Sequence, residues 1–250
     1  MQKAETEWFA TWFGSPYYDL LYAHRNETEA ESFIKLVCQC LNVEKGSKAL
    51  DLACGWGRHS LTLCNLGLEV TGLDLSTEFI ERARKLVKGK AVFKVQDMRV
   101  SFGENEFDVA LNLFTSFGYF QHSQENERVL ENVFQSLKPG GFFVLDFLNR
   151  EKTVANLVAQ EVKQVGDIQF NIQRKVMDGR IIKEIELRDA GKTLQFSESV
   201  QAFSKEELEK MILASGFTIQ EIWGDYQGGS WVSENSNRVI FITQKPKLQV

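Results

Sequence analysis

The chain is poor in the residue patterns that build disulfide frameworks, metal sites and membrane spans. Its four cysteines, Cys38, Cys40, Cys54 and Cys64, include no Cys-x-x-Cys pair. They stand in apolar helix-like or strand-like patterns and read as buried free thiols. The three histidines, His24, His59 and His122, are scattered, with no His-Glu-x-x-His set, so no metal is expected. No apolar run approaches the roughly 20 residues a bilayer span requires. The start Met1-Gln2-Lys3-Ala4-Glu5 is polar, is followed by aromatics and is unlike a signal peptide. A cytoplasmic, reducing location with no membrane partner is the default expectation. Positive charge is in deficit as well: the net charge is −5. The chain therefore lacks the electrostatic footprint of general nucleic-acid binding. No internal repeat and no low-complexity segment interrupts it.

What is present suits one large α/β domain, or one domain with an insertion: 250 residues with 43% hydrophobic content. The organising stretch is Ala49-Leu50-Asp51-Leu52-Ala53-Cys54-Gly55-Trp56-Gly57-Arg58-His59. Its apolar first half reads as a buried strand. Gly55 and Gly57 follow at once, and Ser60-Leu61-Thr62-Leu63 opens a helix. A strand, a glycine turn and a helix start make a cradle for a ligand, because the first amides of a helix point outward without internal partners. Glycine there lets the main chain approach a bound molecule without a Cβ in the way. A dinucleotide fingerprint would read Gly-x-Gly-x-x-Gly/Ala, but the third position here is Ser60.

Beyond the turn, strand-like and helix-like segments alternate. Residues 68–74 read as a second strand ending on Asp74, about twenty residues past the glycines, where this kind of fold places an acid to accept from ribose hydroxyls. Ser76 suits the cap of the next helix. Residues 91–96, 107–114 and 142–147 read as further strands, and a helix carries Val129, Leu130, Val133, Phe134 and Leu137. Such alternation implies right-handed crossovers and a mostly parallel sheet, with ligands beyond the C-terminal strand ends. The pattern changes after residue 150. Segments near 160–165, 168–177, 180–190 and 193–203 are joined by the turns Gly166-Asp167, Asp178-Gly179 and Ala190-Gly191, and such short links make hairpins rather than parallel crossovers. Ser204 and Glu207 form a capping box, with Phe203 and Leu208 as staple, and Thr28 with Glu31 reads as another box. The expected organisation is an N-terminal aromatic flap and helix over 1–45, a ligand-binding domain over 46–150 and 204–245, and an inserted antiparallel meander over 151–203 lying by the pocket. In the flap, Tyr18, Tyr22 and Arg25 are candidates to reach the ligand.

Five strings carry a family resemblance: Asp51-Leu52-Ala53-Cys54-Gly55-Trp56-Gly57, Gly72-Leu73-Asp74, Gln96-Asp97-Met98-Arg99, Asn112-Leu113-Phe114 and Leu137-Lys138-Pro139-Gly140-Gly141. In order and spacing they resemble the class I S-adenosylmethionine (SAM)-dependent methyltransferases across nearly the whole chain. The resemblance implies a Rossmann-like α/β fold, a seven-stranded sheet with helices on both faces and its last strand antiparallel. It implies SAM as cofactor and S-adenosylhomocysteine (SAH) as product. Gly55 and Gly57 would approach the methionine part, Asp74 the ribose, Asp97 and Met98 the adenine, with Leu113 and Phe114 near the sulfonium and Asp51, Ala53 and Leu75 as further cofactor-binding residues. The departure is Trp56, where a small residue is common; a side chain pointing away from the ligand would accommodate it. More narrowly, Phe114-Thr115-Ser116-Phe117-Gly118-Tyr119-Phe120, the hairpin insertion and Gly224-Asp225-Tyr226 resemble bacterial small-molecule methyltransferases, sugar-amine N-methyltransferases among them.

On the acceptor side the candidates are Tyr18, Tyr119, His122, Asp225, Tyr226 and Arg238, with Tyr119 and His122 each a catalytic candidate; Tyr119 could instead be core packing and His122 a surface residue before a helix. Asp225 and Arg238 could instead pair structurally across neighbouring strand ends. Asn112 is not followed by the Pro-Pro-Tyr/Phe of base and glutamine amino-methylation, and no Pro-Cys nucleophile suits cytosine C5 chemistry. A small-molecule acceptor and a monomer or homodimer are expected. A SAM-binding protein without catalysis, or less favourably an NAD(P)-dependent oxidoreductase, is the alternative.

Overall fold

Apolar runs bounded by glycine turns form the centre of the molecule. In the computed structural model, which describes residues 7–22 and 27–247, β1 (Lys48–Leu52) is buried from Ala49 onward. It pairs in parallel with β2 (Glu69–Asp74) and β4 (Phe107–Asn112). Outward from β2 lies β3 (Ala91–Val95); outward from β4 lie β5 (Leu137–Leu148), β11 (Arg238–Gln244) and β10 (Thr218–Trp223). The seven-stranded order is β10-β11-β5-β4-β1-β2-β3, with β11 antiparallel to both its neighbours.

Side chains alternate between faces along each strand. Leu50, Leu52, Phe143, Leu145 and Phe241 pack with α6 (Ser123–Ser136) and α8 (Lys205–Ala214). Ala49, Val70, Val109, Leu111, Val144 and Ile240 pack with α3 (Glu27–Cys40) and α4 (Arg58–Asn65). The amphipathic α5 (Thr77–Val87) covers Phe93 of β3 through Ile80, Ala83 and Val87. Its N-cap is Ser76, which accepts from Phe79 N at 3.2 Å. The box of Ser204 and Glu207 closes on α8 in both directions, at 3.1 and 2.7 Å. α3 begins at Glu27, so Thr28 stands inside its first turn rather than ahead of it. The thiols also differ from expectation. Cys38 and Cys54 are buried, but Cys40 is exposed and Cys64 half-buried, because the apolar stripes of α3 and α4 are narrower than the sequence pattern suggests.

After β5 the chain makes α7 (Arg150–Ala155) and then a second sheet of four antiparallel strands, β6 (Gln160–Val165), β7 (Ile168–Met177), β8 (Arg180–Asp189) and β9 (Lys192–Gln201). Two short aromatic helices, α1 (Trp8–Trp12) and α2 (Pro16–Tyr22), dock on this sheet, where Trp12 and Leu21 pack against Phe170, Ile172, Ile185 and Leu187. Phe9 packs instead into the main core. The flap therefore bridges the two sheets. Polar ties reinforce it: Tyr17 donates to Asp189 at 2.6 Å, Arg82 pairs with Asp19, and Arg99 pairs with Glu7 at 2.8 Å. The second sheet is itself tied down by Arg180, whose guanidinium donates to the carbonyls of Tyr119 and Phe120 at 2.9 Å.

Candidate active site

The C-terminal ends of β1, β2, β3 and β4 open on a cavity of about 560 Å³, roofed by α1, α2 and the second sheet. That volume falls in the range of small-molecule sites. The main chain at the end of β1 is unusual. Ala53 and Gly55 both have positive φ, +59° and +55°, and the turn is fixed by Cys54 N donating to Leu73 O at 2.9 Å. A Cβ added at Gly55 would meet nothing within 4 Å, so the turn borders open space where a ligand can approach the backbone. Gly57 is different. At φ +87° its added Cβ would lie 2.9 Å from Ala83 Cβ, and the residue does not line the cavity. It has a packing role: it lets the start of α4 sit against α5.

Two carboxylates frame this turn. Asp74 accepts from Gly55 N and from Ser76 N, each at 2.8 Å, so it ties the glycine loop to the start of α5 while facing the cavity. Burial raises its pKa, and the backbone donors oppose the rise. Asp51 is 1% exposed and accepts from Ser60 Oγ at 2.6 Å. Burial pushes its carboxyl up to about 6, the Ser60 bond opposes, and the charge of Asp74 adds to the rise. The serine in place of a third glycine is thus the partner of the strand's buried acid.

Along the same edge, Asp97 and Met98 line the cavity. Both oxygens of Asp97 are engaged by the Arg99 guanidinium at 2.6 to 3.1 Å. Burial of Asp97 would raise its pKa, but Arg99 holds it below the usual carboxylate range. Leu75, Leu113, Phe114, Tyr18, Tyr22, Tyr119 and Arg238 line the cavity too. Trp56 also lines it rather than pointing away, with Arg82 5.9 Å above its ring.

After β4 the backbone is strained again. Phe114 and Thr115 are consecutive non-glycine residues at φ +58° and +61°, a conformation that costs free energy and persists only when its surroundings impose it. Asp146, 0% exposed at the end of β5, imposes it: its side chain accepts from Phe114 N at 2.8 Å and its carbonyl from Thr115 N at 3.0 Å. Asp146 also accepts from Arg238 Nε at 2.7 Å and Tyr226 OH at 3.0 Å, and Arg238 Nη2 donates to Thr115 Oγ1 at 2.8 Å. Arg238 therefore pairs with Asp146 and not with Asp225, which accepts from Gln227 N and Gly229 N inside its own loop. Tyr226 stays behind the cavity wall, its ring stacked 5.3 Å from Phe114. Burial raises its pKa, and Asp146 adds to the rise.

Tyr119 sits in an aromatic box, its ring 5.1 Å from Trp8, 5.9 Å from Phe9 and 5.6 Å from Phe13. His122 does not share that position. It is exposed, is not part of the cavity lining, and precedes α6 as its N-cap, donating its backbone N–H to Glu125 at 3.1 Å. Two residues past Phe120 the chain has already turned outward to start the helix. Arg25 lies outside the described residues. Four contributors were not singled out from sequence: Asp146, Arg174, Lys183 and Glu198. The signal for the last three is a charge standing at an i, i+2 position among apolar residues, as in Ile181, Lys183, Ile185.

A family model described as a methyltransferase domain matches residues 49–141, from β1 into β5. A putative methyltransferase of Bacillus subtilis is 27% identical over 227 residues, 82% of this chain and 86% of that one. A dTDP-3-amino-3,4,6-trideoxy-alpha-D-glucopyranose N,N-dimethyltransferase of Streptomyces venezuelae is 26% identical, over 84% of this chain and 92% of its own. Among solved structures, a SAM-dependent methyltransferase from Clostridium acetobutylicum superposes with a TM-score of 0.79 at 20% identity, covering 92% of this chain and 96% of that one. Residues 49–141 belong to a methyltransferase domain family, and the chain has the fold of the SAM-dependent methyltransferases. SAM is the cofactor of this methyltransferase, and the residues present fit it: an open-sided glycine turn, an oriented carboxylate on β2 and a cavity larger than the turn alone.

Proposed function

We propose that this methyltransferase moves a methyl group from SAM to a nitrogen or oxygen atom of a small-molecule acceptor by in-line displacement. The observation that carries the reading is the single cavity shared by the glycine turn with Asp74 on one side and a roof of aromatic helices and antiparallel sheet on the other. A roofed cavity of about 560 Å³ suits a donor with a small acceptor. The Streptomyces venezuelae relative acts, by its name, on an amino sugar nucleotide, which favours nitrogen over oxygen.

When bound, SAM supplies an activated methyl group on a sulfonium with an excellent leaving group. What remains for the protein is alignment and exclusion of water. Gly55, Asp74 and Leu75 hold the donor side, and Asp97 with Met98 borders it. The Phe114–Thr115 turn, fixed by Asp146, forms the wall between donor and acceptor. Tyr119, locked by three neighbouring rings, shapes the acceptor side, while Trp8 and Phe13 close it to water. An amine acceptor bound in its neutral form needs no general base.

Two measurements test this. Calorimetry with SAM, SAH and NAD should give binding of the first two and none of the third. Labelled SAM incubated with the protein and a metabolite extract should give a labelled small product. Binding of SAM with no label transferred to any extract fraction would leave a non-catalytic SAM-binding protein, and binding of NAD alone would return the oxidoreductase.

A further inference from the structure

The inner face of the second sheet carries apolar rungs in register. Ile172, Ile185 and Phe196 form one, and Ile181 with Val200 another. Between them lies a charged rung: Arg174 faces Lys183 across β7 and β8, and Lys183 faces Glu198 across β8 and β9. All three residues line the cavity. Like charges directly opposite on one sheet face repel, and Lys183 is only 9% exposed. Burial lowers its pKa, with Glu198 opposing and Arg174 adding to the lowering. Packing alone would be served at less cost by apolar residues, as in the rungs on either side.

The cavity is polarised around this rung. The acids Asp51, Asp74 and Asp97 line the donor side, together with Arg58 over the Phe114 ring. Arg174 and Lys183 line the roof, with Glu198 as its carboxylate, and Arg238 of β11 lines the wall below it. The counter-acids of two of these cations stand behind the wall. Glu161 accepts from Arg174 Nη2 at 2.6 Å and Asp146 from Arg238 Nε at 2.7 Å, and neither lines the cavity. Glu198 is turned toward the flap, where its Oε1 accepts from Trp12 Nε1 at 2.7 Å and Tyr22 OH at 2.6 Å. Lys183 Nζ lies 3.6 Å from that oxygen and donates to the Tyr22 hydroxyl at 2.6 Å. The Arg174 end of the rung therefore presents positive charge to the cavity.

We propose that Arg174 and Lys183 form an anion-binding subsite on the roof, and that the methyl acceptor carries a carboxylate or phosphate at the end away from its reacting atom. This rests on the methyltransferase reading above and narrows it to an anionic acceptor. Anchoring the charged end on a paired, rigid sheet leaves the other end of the acceptor to meet the Phe114–Thr115 turn.

The test uses the full chain loaded with SAH. Its melting temperature is followed against sodium phosphate and, separately, sodium acetate at constant ionic strength, with chloride as the reference salt. A saturable rise is expected with one or both anions, and the tighter of the two names the group. In Lys183→Met and in Arg174→Gln the half-saturating concentration should rise by about tenfold or more, the scale of a lost charged hydrogen-bond partner. The Arg174 side chain is 22% exposed, and SAH affinity reports the fold of each variant. No saturable response in the wild type, or an equal response in wild type and Arg174→Gln, overturns the subsite. Absence of SAH binding in the wild type would instead overturn the methyltransferase reading and the subsite with it.

Discussion

Asp51 gives the sharpest test of how the donor side is built. Its carboxyl is fully enclosed on the central strand, with the Ser60 hydroxyl as its partner and Asp74 adding like charge. Its pKa stands at about 6 in the folded protein, against about 3.9 in an unfolded chain. Below the lower value both states are protonated and the site costs nothing. As pH rises toward 6 the unfolded chain ionises while the folded one holds its proton, so folding is progressively disfavoured. Above 6 the full cost stands, about 3 kcal/mol from the separation of the two values. Asp51→Asn keeps an oxygen to accept from Ser60 and removes the titration. Urea unfolding of wild type and variant without SAM should show the variant gaining stability relative to wild type by about 2 kcal/mol between pH 4.5 and 7.5. The difference cancels every group that titrates alike in both proteins and reports Asp51 together with its coupling to Asp74. Parallel curves over that range, or a variant that loses ground as pH rises, would refute the argument that burial dominates at this site.

The two glycines of the turn should separate on substitution. Gly57→Ala meets Ala83 at 2.9 Å on top of a positive φ, and should cost about 2 to 5 kcal/mol in urea unfolding. Gly55→Ala meets nothing within 4 Å and should cost only the φ penalty, about 1 to 2 kcal/mol, yet weaken SAM binding in calorimetry; the reverse ranking in stability would contradict the packing role of Gly57. Asp146→Asn leaves Arg238 buried beside a neutral amide and should destabilise by about 3 to 5 kcal/mol. A loss below about 1 kcal/mol in the same assay would show that the Phe114–Thr115 turn is held by something else.

The sheet was readable in the chain because its signals are local. Gly55 after an apolar strand, Asp74 at the end of the next, and the hairpin turns at Gly166, Gly179 and Gly191 each fix backbone within a few residues. The seven-stranded order with an antiparallel β11 came with the family resemblance, not with periodicity. What was not readable depends on contacts between segments far apart in sequence. His122 and Tyr119 are three residues apart, but the helix start turns one out to solvent and leaves the other inside a box of rings drawn from α1. Arg238 has an acid nearby in sequence, Asp225, yet the register of β11 on β5 brings it to Asp146, 92 residues away. The same holds for Trp12 and Tyr22, whose partner Glu198 is reached only once the second sheet has folded over the flap. Donor-side groups therefore belong to short strand-to-helix turns, while acceptor-side groups are assembled by tertiary pairing. A sequence with this turn should bind the same cofactor on many roofs. The charged rung stands on the roof, and substrate choice is expected to follow Arg174 and Lys183 rather than Gly55 and Asp74.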